Sequence, residues 1–101
     1  MARVIVSKEA RSDLVSIRDY IRDELLSPDA AQRILAELKK SISSLAHYPG
    51  RGNALIAVHT EYRYLICEHY CVFYLCMEEE VLVVRVLHQR QDSFRALFLP
   101  E

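Results

Sequence analysis

Polar side chains that could bind or act on another molecule gather at the end of the last predicted strand. They are Arg85, His88, Gln89, Arg90, Gln91 and Asp92. An imidazole titrates near neutral pH, so His88 among these charges could serve acid–base chemistry. A single histidine more often shapes a turn by hydrogen bonding, and Arg90 with Asp92 could form a local ion pair. The pattern therefore indicates a functional edge that either catalyses or binds.

Three predicted strands deliver these groups to one edge. The sequence predicts strands over Tyr62–Cys67, Tyr70–Met77 and Val81–Leu87, each rich in β-branched, aromatic and aliphatic residues. The breaks between them, Glu68-His69 and Glu78-Glu79-Glu80, are too short for a parallel crossover. We therefore expect an antiparallel meander.

The facing of the last strand can be argued from its one charge. Its two alternating sets are Leu82, Val84, Val86 and Val81, Val83, Arg85, Leu87. A charge is costly on a packed face, so the first set should face the helices and the second, with Arg85, the opposite open face. That open face is unusually apolar, which indicates either a partner protein or a tail that folds back over it. The apolar tail residues are Phe94, Leu97, Phe98 and Leu99.

The first half of the chain predicts a strand and two helices. Arg3–Ser7 is β-prone, and its final serine can cap a helix that runs to about Leu26. The apolar face of that helix repeats at spacings of three and four through Leu14, Ile17, Ile21 and Leu25. Ser27 is a candidate N-cap and Pro28 a first-turn residue of a second helix that ends near His47. The short connection predicts an antiparallel helical hairpin.

The overall composition predicts one globular domain. The 101 residues are 51% hydrophobic with only two glycines and three prolines. No apolar run approaches the ~20 residues of a membrane span, so we expect a cytoplasmic protein without a membrane partner. Residues 1–101 should form a single α+β domain. An N-terminal strand should be followed by an antiparallel helical hairpin, which packs on one face of an antiparallel β-sheet. The sheet should end in a three-stranded C-terminal meander.

Net charge and cysteine content argue against a dedicated nucleic-acid binder and against a disulfide-bonded protein. The net charge is −1, whereas a dedicated nucleic-acid binder usually carries a basic excess. The lysines, all before the meander, are Lys8, Lys39 and Lys40. Cys67, Cys71 and Cys76 form no Cys-x-x-Cys pair and predict buried free thiols, with any redox role left open. We expect no metal site and no cofactor.

Several motifs in this order resemble one known superfamily. They are Tyr48-Pro49-Gly50, Tyr62-Arg63-Tyr64-Leu65, Tyr70-x-Val72-Phe73-Tyr74 and Arg85-Val86-Leu87-His88-x-Arg90-x-Asp92. With the order β-α-α-β-β-β, they resemble the RelE/ParE superfamily, the toxins of bacterial type II toxin–antitoxin systems. The resemblance implies a growth-inhibiting, plasmid-stabilising toxin that a cognate antitoxin wraps and neutralises. It also implies that operator DNA is bound only through the antitoxin.

The superfamily divides by target. RelE-like members cut messenger RNA on the ribosome, and ParE-like members inhibit DNA gyrase without nuclease chemistry. Cleavage through a 2′-hydroxyl needs a base, an acid and cations for the phosphate. By resemblance, Cys71 stands where RelE-like members have an arginine, and the preceding strand offers Arg63 but no lysine. The tail offers Phe94 and Phe98 without a hydroxyl, and only Arg90 matches.

We therefore expect a ParE-like toxin that acts by binding gyrase rather than as an enzyme. The expected target-binding residues are Arg63, Arg85, His88, Arg90 and Asp92. The first alternative is a RelE-like ribosome-dependent endoribonuclease with candidate catalytic residues Arg63, His88 and Arg90. The second is a protein that has lost toxicity and only binds the antitoxin.

Overall fold

A computed structural model describes residues 1–50, 52–54 and 62–89. Its strands are β1 (Arg3–Val6), β2 (Asn53–Ala54), β3 (Tyr62–Cys67), β4 (Tyr70–Cys76) and β5 (Glu80–His88). Its helices are α1 (Lys8–Asp19), a π turn (Tyr20–Glu24) and α2 (Pro28–Ser44). None of the helices in these ranges is long and apolar enough to cross a membrane.

The sheet has the strand order β1-β5-β4-β3-β2. The predicted meander is confirmed, because β3 pairs antiparallel with β4 and β4 pairs antiparallel with β5. The predicted N-terminal strand is also confirmed, but it lies parallel to β5, from Arg3 opposite Glu80 to Val6 opposite Val83. The α+β fold is as expected, with one parallel pair that makes the sheet mixed. The helical hairpin between β1 and β5 provides the long connection that a parallel pair requires.

The first helix has a side-chain cap at its start and a π turn at its end. Ser7 caps it as predicted, since its side-chain oxygen accepts a hydrogen bond from the Ala10 N–H at 3.0 Å. The α-helix ends at Asp19 and continues as the π turn, in which the Leu25 N–H donates to the Tyr20 carbonyl at 3.2 Å. Leu26 then adopts a left-handed φ of 51°, which ends the helical path at the predicted place.

The second helix begins at Pro28 as predicted, but Ser27 does not cap it with its side chain. Instead, the Ser27 N–H donates to the Ile21 carbonyl at 3.2 Å, and its own carbonyl accepts from Ala31 at 3.0 Å. The backbone of Ser27 thus bonds both to the end of the π turn and to the first turn of α2. The α-helix ends at Ser44, and a tighter turn extends it to His47, whose N–H donates to the Ser44 carbonyl at 3.1 Å.

The main core lies between the helical hairpin and one face of the sheet. Its fully buried members include Leu38 and Leu45 on the helical side and Val72, Tyr74, Val81 and Val83 on the sheet. The predicted facing of β5 is therefore half wrong, since Val81 and Val83 pack in this core. A β-bulge explains the error: Phe73 lies opposite Arg85 but Tyr74 lies opposite Val83, which leaves Val84 as an extra residue. Beyond the bulge Val86 faces the helices as predicted.

The second face of the sheet carries its own apolar cluster. Cys71, Phe73 and Leu87 are buried there, with Tyr62, Tyr64 and Val84 packed against them. Phe73 is 0% exposed, so this face is not an open apolar surface at its centre. Ile66, opposite Cys71, remains 55% exposed. The predicted covering by the tail concerns residues 94–99, which lie outside the described residues.

Candidate functional site

A groove of about 960 Å³ lies between the helical hairpin and the end of the sheet where β5 finishes. Its helical wall includes Ile17, Tyr20, Ile21, Leu25, Ala30 and Ile34. Its sheet wall includes Glu68, His69, Tyr70, Val86, Leu87 and His88, and Asp13 with Arg85 also lines it. Tyr20 and Leu25 are 53% and 57% exposed, which gives the groove an apolar rim. The groove thus combines an apolar wall with the polar edge that the sequence indicates.

His88 lies at this edge in contact with an aromatic ring. Its strand partner is Tyr70, and the two ring centroids lie 5.3 Å apart at an interplanar angle of 83°. Such edge-to-face pairs are favourable because the ring edge is positive and the ring face negative. Tyr70 is buried, and that burial, together with Tyr20, raises the pKa of its hydroxyl. The packing holds the half-buried His88 ring against β4.

The turn between β3 and β4 forms the rim beside His88. Both of its residues have a positive φ, 54° for Glu68 and 71° for His69, as a two-residue type I′ hairpin requires. Arg33 on α2 donates to the Glu68 carboxylate at 2.8 Å. On the other side the Gln89 N–H donates to the His69 carbonyl at 3.0 Å. The turn therefore joins the second helix to the end of β5.

Arg85 lies opposite Phe73, a member of the second-face cluster, but its side chain binds another part of the fold. Its guanidinium donates to both carboxylate oxygens of Asp13 on α1, at 2.6 and 2.9 Å. The same carboxylate accepts a hydrogen bond from the Val86 N–H at 2.9 Å. Hydrogen bonding to Asp13 raises the pKa of Arg85, with the charges of Asp13 and Glu9 adding to the effect against burial. Asp13 thus satisfies a side chain and a backbone group of β5 together.

Arg63 lies at a separate place and holds the loop before β2. It donates to the Gly52 carbonyl at 3.0 Å, and the Gly52 N–H donates to the Tyr74 hydroxyl at 2.9 Å. Arg63 lies opposite Tyr74 on β4, whereas His88 lies opposite Tyr70. Four positions along a strand amount to about 13 Å. The structure therefore does not bring Arg63 together with His88, while Arg90 and Asp92 lie outside the described residues.

The cysteines are free thiols, as predicted, but only Cys71 of the three is buried, and Cys67 and Cys76 are partly exposed. Burial raises the pKa of Cys71 and of Cys76, which keeps both protonated at neutral pH. Cys76 donates through its sulfur to the Pro49 carbonyl at 3.2 Å. In the part of the chain that the structure describes, no three His, Cys, Asp or Glu side chains come close enough to hold a metal ion.

Sequence reasoning missed Asp13 and the Arg33–Glu68 ion pair. A signal for Asp13 was present, because it lies three residues after Ala10 and four before Ile17, both buried on the same helix face. A carboxylate at such a position needs a partner. The Arg33–Glu68 pair had no comparable signal, since it joins residues 35 positions apart through tertiary structure.

Comparison with known proteins agrees with this architecture. The sequence model of a family described as the ParE toxin of the type II toxin–antitoxin system parDE matches residues 4–93. Toxin RelE2 of Caulobacter vibrioides is 39% identical over 88 residues, which is 87% of this chain and 96% of that protein. Toxin ParE1 of Mycobacterium tuberculosis is 35% identical over 97 residues, which is 95% of this chain and 98% of that protein.

Solved structures show the same fold. A chain of the chromosomal ParDE system from P. aeruginosa superposes with a TM-score of 0.74 at 18% identity, over 87% of this chain and 96% of that one. A conserved hypothetical protein from Helicobacter pylori gives a TM-score of 0.52 at 17% identity, over 86% and 93%. The family match extends over nearly the whole chain, and the two toxins exceed 30% identity. The chain therefore belongs to the ParE toxin family of type II toxin–antitoxin systems.

Proposed function

We propose that this toxin inhibits growth by binding DNA gyrase and has no nuclease activity of its own. The names of its relatives divide between RelE and ParE, so the choice rests on the site. The observation that carries it is the separation of Arg63 from His88, two of the residues that RNA cleavage would use, by about 13 Å along the strands. Arg63 bonds a loop carbonyl and Arg85 bonds Asp13, while β4 lies between their strands. Cys71, in the place of an arginine, is buried on the second face.

The target-binding surface in this proposal is the polar end of β5. His88 and Gln89 lead the chain to Arg90 and Asp92, which complete the expected set. Arg85 and Arg63 belong to the proposal as residues that support this surface, because their guanidinium groups donate to atoms of the protein itself. A charged contact in the centre of an interface typically contributes about 1–3 kcal/mol to affinity.

Induction of the chain in a bacterium tests the proposal. We expect growth arrest with DNA-damage signalling and intact transcripts, and inhibition of DNA supercoiling by gyrase in cell extract. Arg90→Ala should weaken inhibition by about 1–3 kcal/mol, roughly ten- to a hundredfold, and His88→Ala should weaken it less. Arg18→Ala is the matched control, since Arg18 is exposed on α1 and pairs locally with Asp19.

Primer extension on messenger RNA from the same cells separates gyrase inhibition from the endoribonuclease alternative. Cuts at codon positions that disappear in His88→Ala would overturn the gyrase proposal. For a nuclease, that substitution should reduce cleavage on the order of 10²-fold or more. Absence of growth arrest in every host, with the antitoxin still bound, would instead favour the protein that has lost toxicity.

We also propose where the antitoxin binds. Family membership implies a cognate antitoxin, and the groove with its exposed Tyr20 and Leu25 offers an apolar surface for one of its segments. Such a segment, helical or extended, should bury at least about 1,200 Å² across the helical hairpin and sheet. In this proposal the complex is cytoplasmic and reaches operator DNA through the antitoxin, and the toxin expressed alone aggregates.

Two substitutions of exposed apolar residues, one directly after the π turn and one on α1, test this groove. Leu25→Glu, on the rim, should weaken capture by the antitoxin of the adjacent reading frame roughly tenfold or more, because it places a charge in the interface. Val15→Glu is the control, since Val15 is 47% exposed on α1 but does not line the groove. Equal weakening by both variants in a pull-down titration would show that the segment binds elsewhere.

A further inference from the structure

About half of β5 extends beyond the end of β1, its parallel neighbour. β1 pairs with β5 only as far as Val83, because the chain turns into α1 after Val6. Residues 84–88 of β5 continue past that point to His88. An uncovered strand edge leaves backbone N–H and C=O groups in need of partners. The first turns of α1 supply partners there in place of a strand.

Three hydrogen bonds between β5 and residues of α1 or its N-cap take the place of strand pairing along this edge. The Ser7 N–H donates to the Val83 carbonyl at 2.9 Å, and the Ser7 hydroxyl donates to the Val84 carbonyl at 2.9 Å. The Val86 N–H donates to the Asp13 carboxylate at 2.9 Å. Asp13 therefore holds this edge of β5 at Val86, two residues before His88.

Arg85, next to the bulge at Val84, holds the Asp13 carboxylate in one orientation. Arg85 directly follows the extra residue, and its guanidinium binds both Asp13 oxygens. The two side chains are only 13% and 30% exposed, for Asp13 and Arg85 respectively. Loss of one partner would leave a poorly solvated charge, so each side chain depends on the other. A bidentate arginine also fixes the orientation of the carboxylate that receives the Val86 N–H.

We infer that Asp13 is a positioning residue for toxicity: its carboxylate fixes the direction in which β5 presents His88 and the residues that follow. This inference rests on the proposed function of that end of β5. Asp13 itself lies on α1 and acts through Val86 and Arg85. Small displacements of a binding surface are costly because its central contacts depend on close packing.

Three sets of substitutions separate the backbone contact from the ion pair. Asp13→Asn keeps an oxygen for the Val86 N–H but removes the charge, so it should retain toxicity within about threefold. Asp13→Leu removes both contacts and should reduce toxicity roughly tenfold or more. The double variant Asp13→Arg with Arg85→Asp restores opposite charges but offers no acceptor to Val86, and should resemble Asp13→Leu. Toxicity is measured as the inducer level needed to halve growth, at equal amounts of folded full-length chain.

A purely structural role would give a different pattern, and a stability control exposes it. Ile42→Val removes one methylene from the core on α2 and should lower stability without touching Asp13 or Arg85. If Asp13→Leu loses toxicity only as much as core variants of equal unfolding free energy do, the inference is wrong. Full toxicity of the charge-swapped double variant would also overturn it.

The His88 ring provides a spectroscopic readout that does not depend on the target. Its contact with Tyr70 should give ring-current shifts in the histidine NMR signals of the full chain in its antitoxin complex. These shifts should persist in Asp13→Asn and change in Asp13→Leu. Unchanged His88 signals in Asp13→Leu would refute the positioning role. Changed His88 signals in Asp13→Leu, together with a wild-type chain that never inhibits gyrase, would support the positioning and refute the proposed target instead.

Discussion

Gly52 occupies a position that has no room for a side chain. A Cβ built on it would lie 2.5 Å from the Tyr64 carbonyl oxygen and 2.6 Å from the Tyr74 hydroxyl. The first of these atoms belongs to the backbone of β3 and cannot move without disturbing the sheet. Gly52 also donates to Tyr74 and accepts from Arg63, so this close approach holds the loop that follows α2 against β3 and β4.

The cost of Gly52→Ala follows from these contacts. Overpacking costs about 1–3 kcal/mol, and loss of one hydrogen bond between partly buried groups adds about 1 kcal/mol. We therefore expect the free energy of unfolding to fall by about 2–4 kcal/mol. For a domain of this size, that corresponds to a fall in Tm of at least about 8 °C.

Gly50→Ala is the matched control because a Cβ at Gly50 meets nothing within 4 Å. Urea unfolding of the two variants and the wild type, followed by circular dichroism, measures the difference. Tyr74→Phe removes the hydroxyl that receives the Gly52 N–H and should make Gly52→Ala less costly, since one of the two close contacts is gone. Equal stability of Gly52→Ala and Gly50→Ala would refute the steric argument.

Three further predictions concern stability and reactivity. His69→Gly should stabilise the chain by about 0.5–1 kcal/mol in thermal unfolding, because His69 has a φ of 71°, whereas His69→Ala should not. Arg33→Ala should cost less than about 1 kcal/mol, with the difference from wild type shrinking in high salt, because the Arg33–Glu68 pair is largely exposed. Burial raises the pKa of Cys71 and Cys76, so both thiols should be alkylated more slowly in the folded chain than a free thiol is. For the same reason the free energy of unfolding should fall as pH rises above about 8.5, where the unfolded thiols begin to ionise.

The sequence was sufficient for features that depend on nearby residues. Hydrophobic spacing located both helices, and runs of β-branched and aromatic residues located β3, β4 and β5 within a residue or two of their observed ends. Ser7 and Pro28 marked helix starts because caps and first-turn prolines act within one turn. The family also followed from sequence, since its motifs are spread in order along the chain.

Tertiary structure decided the features that depend on distant residues. The parallel pairing of β1, the bulge at Val84 and the partner of Arg85 all join segments about 70 residues apart or shift the register between strands. Strict alternation places Val81 and Val83 on the open face, and one extra residue in β5 reverses their placement. Whether a charged side chain binds a target or its own fold depends on which groups the packing brings near it. For Arg85 that group is the Asp13 carboxylate, which local sequence patterns cannot identify as its partner.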